Sequence, residues 1–171
     1  SLRTLEKTDF FTREIDQLLL SGGCRVAIHS AKDLPEPLPP GLAIAALTKG
    51  VDPADALVLR EGEALDRLPP GAIIATSSHR REEAVKRLRS DLRFIDLRGT
   101  IEQRLEKLLT KEADGVIIAE AALIRLGLTR LNRLRLSGEI AQNQGKLAIV
   151  IREGDQEMFD LFSVIDSRKA M

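Results

Sequence analysis

Hydroxyl and arginine residues stand next to each other between Thr76 and Arg81, where an apolar run gives way to a helical pattern. Thr76, Ser77 and Ser78 occupy the turn, and Arg80 and Arg81 lie in the first helical turn. A helix N-terminus presents unpaired N–H groups and about half a positive charge, so this turn can bind an anion. Arginines at this end oppose the helix dipole, and a sequence that breaks a local rule often does so at a functional site. The alternative is that Ser77 or Ser78 only caps the helix while both arginines are solvated.

A second group of such residues follows the next predicted strand, at Arg98, Gly99 and Thr100. Thr100 and Gln103 match a capping box, which places Gly99 in the tight turn and Arg98 at the carboxyl end of the strand. Arg104 lies one turn into the helix, where it either faces the same ligand or stays an exposed helix arginine. The spacing alone leaves both possibilities for Arg104 open.

The two arginine groups are predicted to share one ligand. Ligands of open parallel sheets bind beyond the carboxyl ends of the strands, so Arg80, Arg81 and Arg98 are expected to converge on one cleft. A guanidinium group binds carboxylate or phosphate through two parallel hydrogen bonds and keeps its charge. The ligand should therefore carry several negative groups.

A third candidate group lies just past another predicted strand, at Ser30, Lys32 and Asp33. A carboxylate beside an ammonium group stays ionised at neutral pH, so Asp33 could stabilise a cationic intermediate or accept a proton. Taken alone, a Lys-Asp pair before a proline-rich loop is more often a surface feature. His29, at the end of the strand, is expected to be packed rather than catalytic.

Strands and helices alternate along the chain and position these residues. We predict strands at 24–29, 42–47, 72–75, 92–97, 115–119 and 146–151, and helices at 9–20, 78–89, 100–109, after 119 up to 127, and 155–165. Strands separated by helices indicate right-handed crossovers, so the fold class is α/β with mostly parallel sheets.

The composition limits the classes of partner. The chain of 171 residues has 26 Lys and Arg against 26 Asp and Glu, so no global field attracts it to nucleic acid or to a membrane. No apolar run approaches the roughly 20 residues that span a bilayer. The single cysteine, Cys24, permits no internal disulfide and no cysteine-built metal site, and fits a reducing compartment. We expect a cytoplasmic protein without a metal; the oligomeric state is left open.

Four segments in order resemble successive signatures of one family, hydroxymethylbilane synthase, also called porphobilinogen deaminase. They are residues 29–35, 75–81, 97–104 and 123–128, and the resemblance covers about residues 9–152. It implies two lobes like those of periplasmic binding proteins, and a third domain that carries a dipyrromethane cofactor on a cysteine thioether. The first lobe would comprise residues 1–50 completed by 144–171, and the second would comprise 51–143.

The resemblance also implies a role for each candidate residue. Asp33 would be the catalytic carboxylate, which contacts pyrrole N–H groups and stabilises positive charge as ammonia leaves porphobilinogen and an azafulvene forms. The residues expected to hold the acetate and propionate groups of cofactor and substrate are Ser30, Lys32, Thr76, Ser77, Ser78, Arg80, Arg81, Arg98, Gly99, Arg104 and Arg125.

Departures from the family pattern leave the activity of this chain open. The family's opening strand and helix would precede Ser1, and its third domain would follow the last helix, so the first lobe is expected to be incomplete. Cys24 leads into a strand rather than standing in the context of the cofactor cysteine, and we expect a buried inert thiol.

Two alternatives remain: a two-lobed module that binds an anion without turnover, and a degenerate relative of the synthase. Asp33 argues against passive binding, since a carboxylate among arginines does not help to hold an anion.

Overall fold

The structure is a computed structural model, which describes residues 12–169. Its helices are α1 (Arg13–Ser21), α2 (His79–Lys86), α3 (Ile101–Leu109), α4 (Glu120–Arg125) and α5 (Gln156–Phe162). Its strands are β1 (Val26–Ser30), β2 (Leu42–Leu47), β3 (Asp55–Leu59), β4 (Ile73–Ala75), β5 (Arg93–Ile95), β6 (Gly115–Ala119), β7 (Arg133–Leu136) and β8 (Leu147–Arg152). The chain divides into two compact units, one formed by Asp52–Ile140 and the other, among the described residues, by 12–51 with 141–169. The predicted helix start at Asp9 lies outside the described residues.

The unit formed by Asp52–Ile140 contains a five-stranded sheet in the order β5-β4-β6-β3-β7. Strand β4 runs parallel to both β5 and β6, whereas β3 runs antiparallel to β6 and β7. In this register Asp55, the first residue of β3, pairs with Ala119 at the end of β6 and with Leu136 at the end of β7. Asp55 therefore lies at the edge of the sheet where β4, β5 and β6 end.

Strand β3 is buried on both faces, and its alternating side chains join two separate cores. Ala56 and Val58 pack on the side of α3 and α4, while Leu57 and Leu59 pack on the side of α2. Burying each such leucine or valine contributes roughly 1.5–3 kcal/mol. Helices therefore cover both faces of the sheet, which leaves the strand ends as the place for a site.

The other unit contains a three-stranded sheet in the order β1-β8-β2, with helices on both faces. Leu19 of α1 packs against Ala27 and Val150 on one face, while Phe162 of α5 packs against Ile149 and Ile151 on the other. The segment after α5 covers the outer edge of β2, because Asp166 Oδ1 accepts a hydrogen bond from the N–H of Leu47 and Ser167 Oγ donates one to the Leu47 carbonyl oxygen. It thereby satisfies backbone groups that an edge strand would otherwise leave unpaired.

The α/β class is confirmed, but the expectation of mostly parallel sheets is wrong. Among the described strands, β1 and β2 each pair antiparallel with β8, and β3 pairs antiparallel with both neighbours. The reversed strands, β3 and β8, both follow a segment by which the chain passes from one unit to the other. Strands that are joined by a helical crossover in one sheet run parallel. Strands β3 and β8 are not joined to their sheets in this way, so they can run antiparallel to their neighbours.

Candidate functional site

The turn after β4 is held to the end of β5 by backbone and side-chain hydrogen bonds. The N–H of Thr76 donates to the carbonyl oxygen of Ile95 at 2.9 Å, which extends the pairing of the two strands by one residue. The Thr76 side chain is buried, and its Oγ1 accepts a hydrogen bond from the N–H of Ser78 at 3.2 Å. Thr76 thus shapes the turn from inside, although its predicted role in ligand binding stays a prediction.

Ser77 joins this turn to the following one. Its Oγ donates to the carbonyl oxygen of Leu97 at 2.9 Å and accepts from the N–H of Leu97 at 2.8 Å. Ser78 is the residue before α2 but makes no side-chain capping hydrogen bond. Neither serine therefore acts as a simple helix cap.

Arg80 and Arg81 are not solvated, because both form ion pairs with the Asp55 carboxylate. Nη2 of Arg80 lies 2.7 Å from Oδ2, while Nε and Nη2 of Arg81 lie 2.9 and 2.7 Å from Oδ1. The Asp55 side chain is only 4% exposed. Burial by itself would raise the pKa of Asp55, but the charges and hydrogen bonds of Arg81 and Arg80 outweigh it and lower that pKa below its usual range.

Sequence reasoning missed Asp55 altogether. The sequence signal for Asp55 was weak. This residue stands directly before an apolar run at 56–59, and the sequence does not indicate in which direction a strand formed by that run would lie. Only a strand that enters antiparallel places this carboxylate at the edge where Arg80 and Arg81 begin α2.

The turn between β5 and α3 has the predicted capping box. Thr100 Oγ1 accepts a hydrogen bond from the N–H of Gln103 at 3.3 Å, and Gln103 Oε1 accepts one from the N–H of Thr100 at 2.9 Å. Gly99 has φ of +96°, and a Cβ at this position would collide with the Gln103 side chain. The glycine is thus required by the turn itself, whether or not a ligand is bound.

The remaining predicted cations of this unit differ in their surroundings. Nε of Arg104 donates to the carbonyl oxygen of Gly99 at 2.8 Å, so this side chain folds back on the turn. Arg125, in the last turn of α4, is exposed. Arg98 is also exposed and has no hydrogen-bond or ion-pair partner within residues 12–169. Arg98 therefore has its full set of donors available for a ligand.

The third candidate group belongs to the other unit. Strand β1 ends at Ser30, and a single 3-10 turn over Ala31–Asp33 follows, anchored by a hydrogen bond from the Ala31 N–H to the carbonyl oxygen of Lys146 at 3.1 Å. Ser30 and Asp33 are exposed, and Lys32 is half-buried. The Asp33 carboxylate has no hydrogen-bond partner in the described part of the chain. Because these residues and the arginines lie in different units, their convergence on one cleft stays a prediction.

Two further expectations in this unit are tested by burial. His29 is 7% exposed, so the prediction of a packed histidine is confirmed. Cys24 is half-buried rather than fully buried and packs against the core beneath α1, and the inertness of its thiol stays a prediction.

One cavity in the unit formed by Asp52–Ile140 does not coincide with these turns. It has a volume of about 420 Å³ and lies at the Leu59 end of β3, the edge of the sheet opposite Asp55. Its lining is mostly apolar and includes Leu65 and Leu134. Over residues 12–169 there is no cluster of His, Cys, Asp and Glu that could hold a metal ion, and no helix able to cross a membrane.

The fold places the chain in a known class of two-lobed proteins. A periplasmic substrate-binding protein of an ABC transporter from Coxiella burnetii has a TM-score of 0.60, over 92% of this chain and 77% of that protein. At 17% identity this likeness shows the fold alone, and it confirms the predicted periplasmic-binding-protein-like architecture.

Residues 1–160 match the family described as porphobilinogen deaminase, dipyromethane cofactor binding domain. The chain therefore belongs to the porphobilinogen deaminase family, as its motifs predicted.

Curated relatives agree with this assignment. A porphobilinogen deaminase from Rubrobacter xylanophilus is 38% identical over 162 residues, which are 94% of this chain and 53% of that protein. Another from Syntrophomonas wolfei is 41% identical over 159 residues, 91% of this chain and 52% of that protein. The chain thus spans about half the length of the relatives it matches.

Proposed function

We propose that this chain functions as a hydroxymethylbilane synthase. This transferase joins four porphobilinogen molecules by stepwise deamination into hydroxymethylbilane, in tetrapyrrole and haem biosynthesis. The observation that carries the proposal is where the family motifs lie: residues 76–81 and 98–104 follow β4 and β5, and 31–33 follow β1, which ends at Ser30. Ligands of open α/β sheets bind beyond such strand ends. The proposed location is the cytoplasm, with no nucleic acid or membrane partner.

The arginine groups suit the proposed substrate. Porphobilinogen carries an acetate and a propionate, and the growing product accumulates both with every ring. Arg98 offers an exposed guanidinium group, and Arg80 and Arg81 lie at the neighbouring strand end. Guanidinium groups retain their charge at every physiological pH, so this edge of the sheet can hold carboxylates throughout the reaction.

Asp33 supports the catalytic half of the proposal. Its carboxylate is exposed and has no partner among residues 12–169, so it can accept hydrogen bonds from pyrrole N–H groups. When the C–N bond of the aminomethyl group breaks and ammonia leaves, the pyrrole becomes a cationic azafulvene. The Asp33 carboxylate would stabilise that charge until a C–C bond to the bound pyrrole chain replaces the broken C–N bond and a proton is released.

The residues fit the non-covalent binding of the dipyrromethane cofactor, whose two rings bring four carboxylates. Arg98 and the edge formed by Arg80 and Arg81 are the groups that would hold them. The cofactor supplies the pyrrole carbon to which the first substrate is joined. Cys24 does not fit the thioether attachment, because it packs against the core beneath α1.

Intact mass spectrometry and calorimetry of the chain with porphobilinogen test the proposal. Mass increments of one pyrrole unit would demonstrate the synthase chemistry. Binding without added mass would favour the passive anion-binding module or a degenerate relative. No binding at millimolar porphobilinogen would contradict every one of these functions.

A further inference from the structure

We infer that Asp55 is a positioning residue, which holds the guanidinium groups of Arg80 and Arg81 in the orientation that receives the carboxylates of the pyrrole ligand. This inference rests on the proposed function. It concerns a residue outside the four family motifs that were recognised in the sequence, and it assigns to Asp55 no contact with the substrate.

The location of Asp55 makes it a rigid support. It is the first residue of β3, and its backbone pairs with Ala119 on one side and Leu136 on the other. All five residues of β3 are buried, and the Asp55 side chain is 4% exposed. A carboxylate on a buried strand between two neighbours moves far less than one on a loop.

Each carboxylate oxygen takes one arginine. Oδ2 accepts from Nη2 of Arg80 at 2.7 Å, and Oδ1 accepts from Nε of Arg81 at 2.9 Å and forms an ion pair with its Nη2 at 2.7 Å. Arg80 has a second anchor, because its Nη1 donates to the carbonyl oxygen of Glu139. Two guanidinium groups on adjacent residues are thereby held at defined positions.

This arrangement leaves a donor for a ligand on Arg81. Its Nη1 has no hydrogen-bond partner in residues 12–169. This atom is also not buried, so it is open to solvent or to a ligand. The Arg81 side chain is 11% exposed, and Nη1 belongs to its accessible part, so this donor can reach a ligand. A guanidinium fixed before the ligand arrives loses little conformational freedom on binding.

Asp55 also allows the two cations to stand at a helix N-terminus, where the dipole and their mutual repulsion both oppose them. The arginines in turn keep the buried carboxylate charged, which it would not remain alone. The three charged groups therefore depend on one another. Two other roles for Asp55 must be distinguished from positioning. In one, its ion pairs only stabilise the fold; in the other, it acts as a neutraliser, which only reduces the positive charge of the site.

The three roles predict different affinities when Asp55→Asn removes the charge and keeps the shape. A neutraliser predicts tighter binding of porphobilinogen, because the site gains positive charge. A structural pair predicts lower stability with unchanged affinity of the folded protein. Positioning predicts that affinity falls about tenfold, or about 1.4 kcal/mol, in spite of the added positive charge.

Asp114→Asn is the matched control. Like Asp55, Asp114 pairs with an arginine, Arg60 at 2.7 Å. Arginines contact both carboxylate oxygens of Asp55, whereas Asp114 accepts a hydrogen bond from the N–H of Ile73 at 2.8 Å. It precedes β6, and so lies at the opposite edge of the same sheet. Its loss should lower stability and leave the affinity for porphobilinogen unchanged.

The experiment combines calorimetry with porphobilinogen and hydrogen exchange of the arginine Nε–H groups by ¹⁵N nuclear magnetic resonance, both on the full chain. We expect exchange at Arg81 to accelerate in Asp55→Asn and to stay slow in Asp114→Asn. This readout needs no ligand, so it tests the support of the arginines even if the wild-type chain fails to bind porphobilinogen and the proposed function falls.

Asp55→Glu keeps the inference testable if Asp55→Asn does not fold. The charge is retained, but the carboxylate moves by one methylene group, so affinity should fall severalfold while the net charge is unchanged. Wild-type affinity in Asp55→Glu, unchanged or higher affinity in Asp55→Asn, or slow Arg81 exchange in Asp55→Asn would each overturn the positioning role.

Discussion

The hydroxyl group of Ser77 takes the place of a backbone pairing with Leu97, because it donates to the Leu97 carbonyl and accepts from the Leu97 N–H, at 2.9 and 2.8 Å. One side chain thereby joins the turn that carries Arg80 and Arg81 to the turn that carries Arg98. The relative position of the two arginine groups depends on this link.

Ser77→Ala should lower both stability and ligand affinity. Leu97 is 5% exposed, so its N–H and carbonyl would lose their partner in a buried place, at a cost of roughly 1–3 kcal/mol. Urea unfolding measures the stability, and calorimetry with porphobilinogen measures the affinity. Ser90→Ala, at an exposed position in a turn, is the control. Wild-type stability of Ser77→Ala would show that the link is dispensable.

Arg98→Gln should weaken binding without weakening the fold. Arg98 is exposed and has no partner in the described residues, so its removal breaks no internal contact. Loss of one charge-assisted hydrogen bond should reduce porphobilinogen affinity about tenfold. The exposed Arg130 offers a matched control, Arg130→Gln. Equal affinities of the two variants would remove Arg98 from the proposed site.

Asp33→Asn should abolish hydroxymethylbilane formation and largely preserve porphobilinogen binding, because under the proposed function only the charge that would stabilise the azafulvene is lost. The rate of hydroxymethylbilane formation and the calorimetric affinity are the two measurements. Asp160→Asn, at another exposed position of the same unit, should behave as wild type. Undiminished turnover of Asp33→Asn would end its catalytic assignment.

Gly99→Ala should destabilise the protein by about 1 kcal/mol or more, because φ of +96° is strained for alanine and the added Cβ meets Gln103. Thermal unfolding measures the loss. In Gln103→Ala the collision is relieved, so the same Gly99→Ala change should cost less in that background. An equal cost in both backgrounds would mean that backbone strain alone sets the effect.

Protonation of the Asp166 carboxylate should lower the stability of the protein in acid. The hydrogen bond from Arg168, aided by the N–H of Leu47, lowers the pKa of Asp166 to about 2, whereas its pKa in an unfolded chain is about 3.9. Its contribution to stability is therefore complete above about pH 4 and disappears as the pH falls through 2. Urea midpoints between pH 2 and 5 should decline less steeply in Asp166→Asn than in wild type. Parallel declines in both proteins would contradict this coupling.

Local interactions were predicted well from the sequence. Each strand assigned from an apolar run is present, and helix α3 begins where the Thr100 and Gln103 capping box required. These features follow from periodicity, capping and turn chemistry over a few neighbouring residues. Strand β7 was not predicted, because Arg133–Leu136 alternates charged and apolar residues at the edge of the sheet.

The sequence by itself therefore determined the α/β class, the family and the turns that carry Ser77, Arg81 and Arg98. It could not determine the direction of β3, because a strand buried on both faces is equally apolar in either direction. Had β3 run parallel to β6, Asp55 would lie at the opposite edge of the sheet, far from Arg81. Only the tertiary structure brings this carboxylate to the two arginines, since their meeting depends on strand pairing between residues distant in the chain.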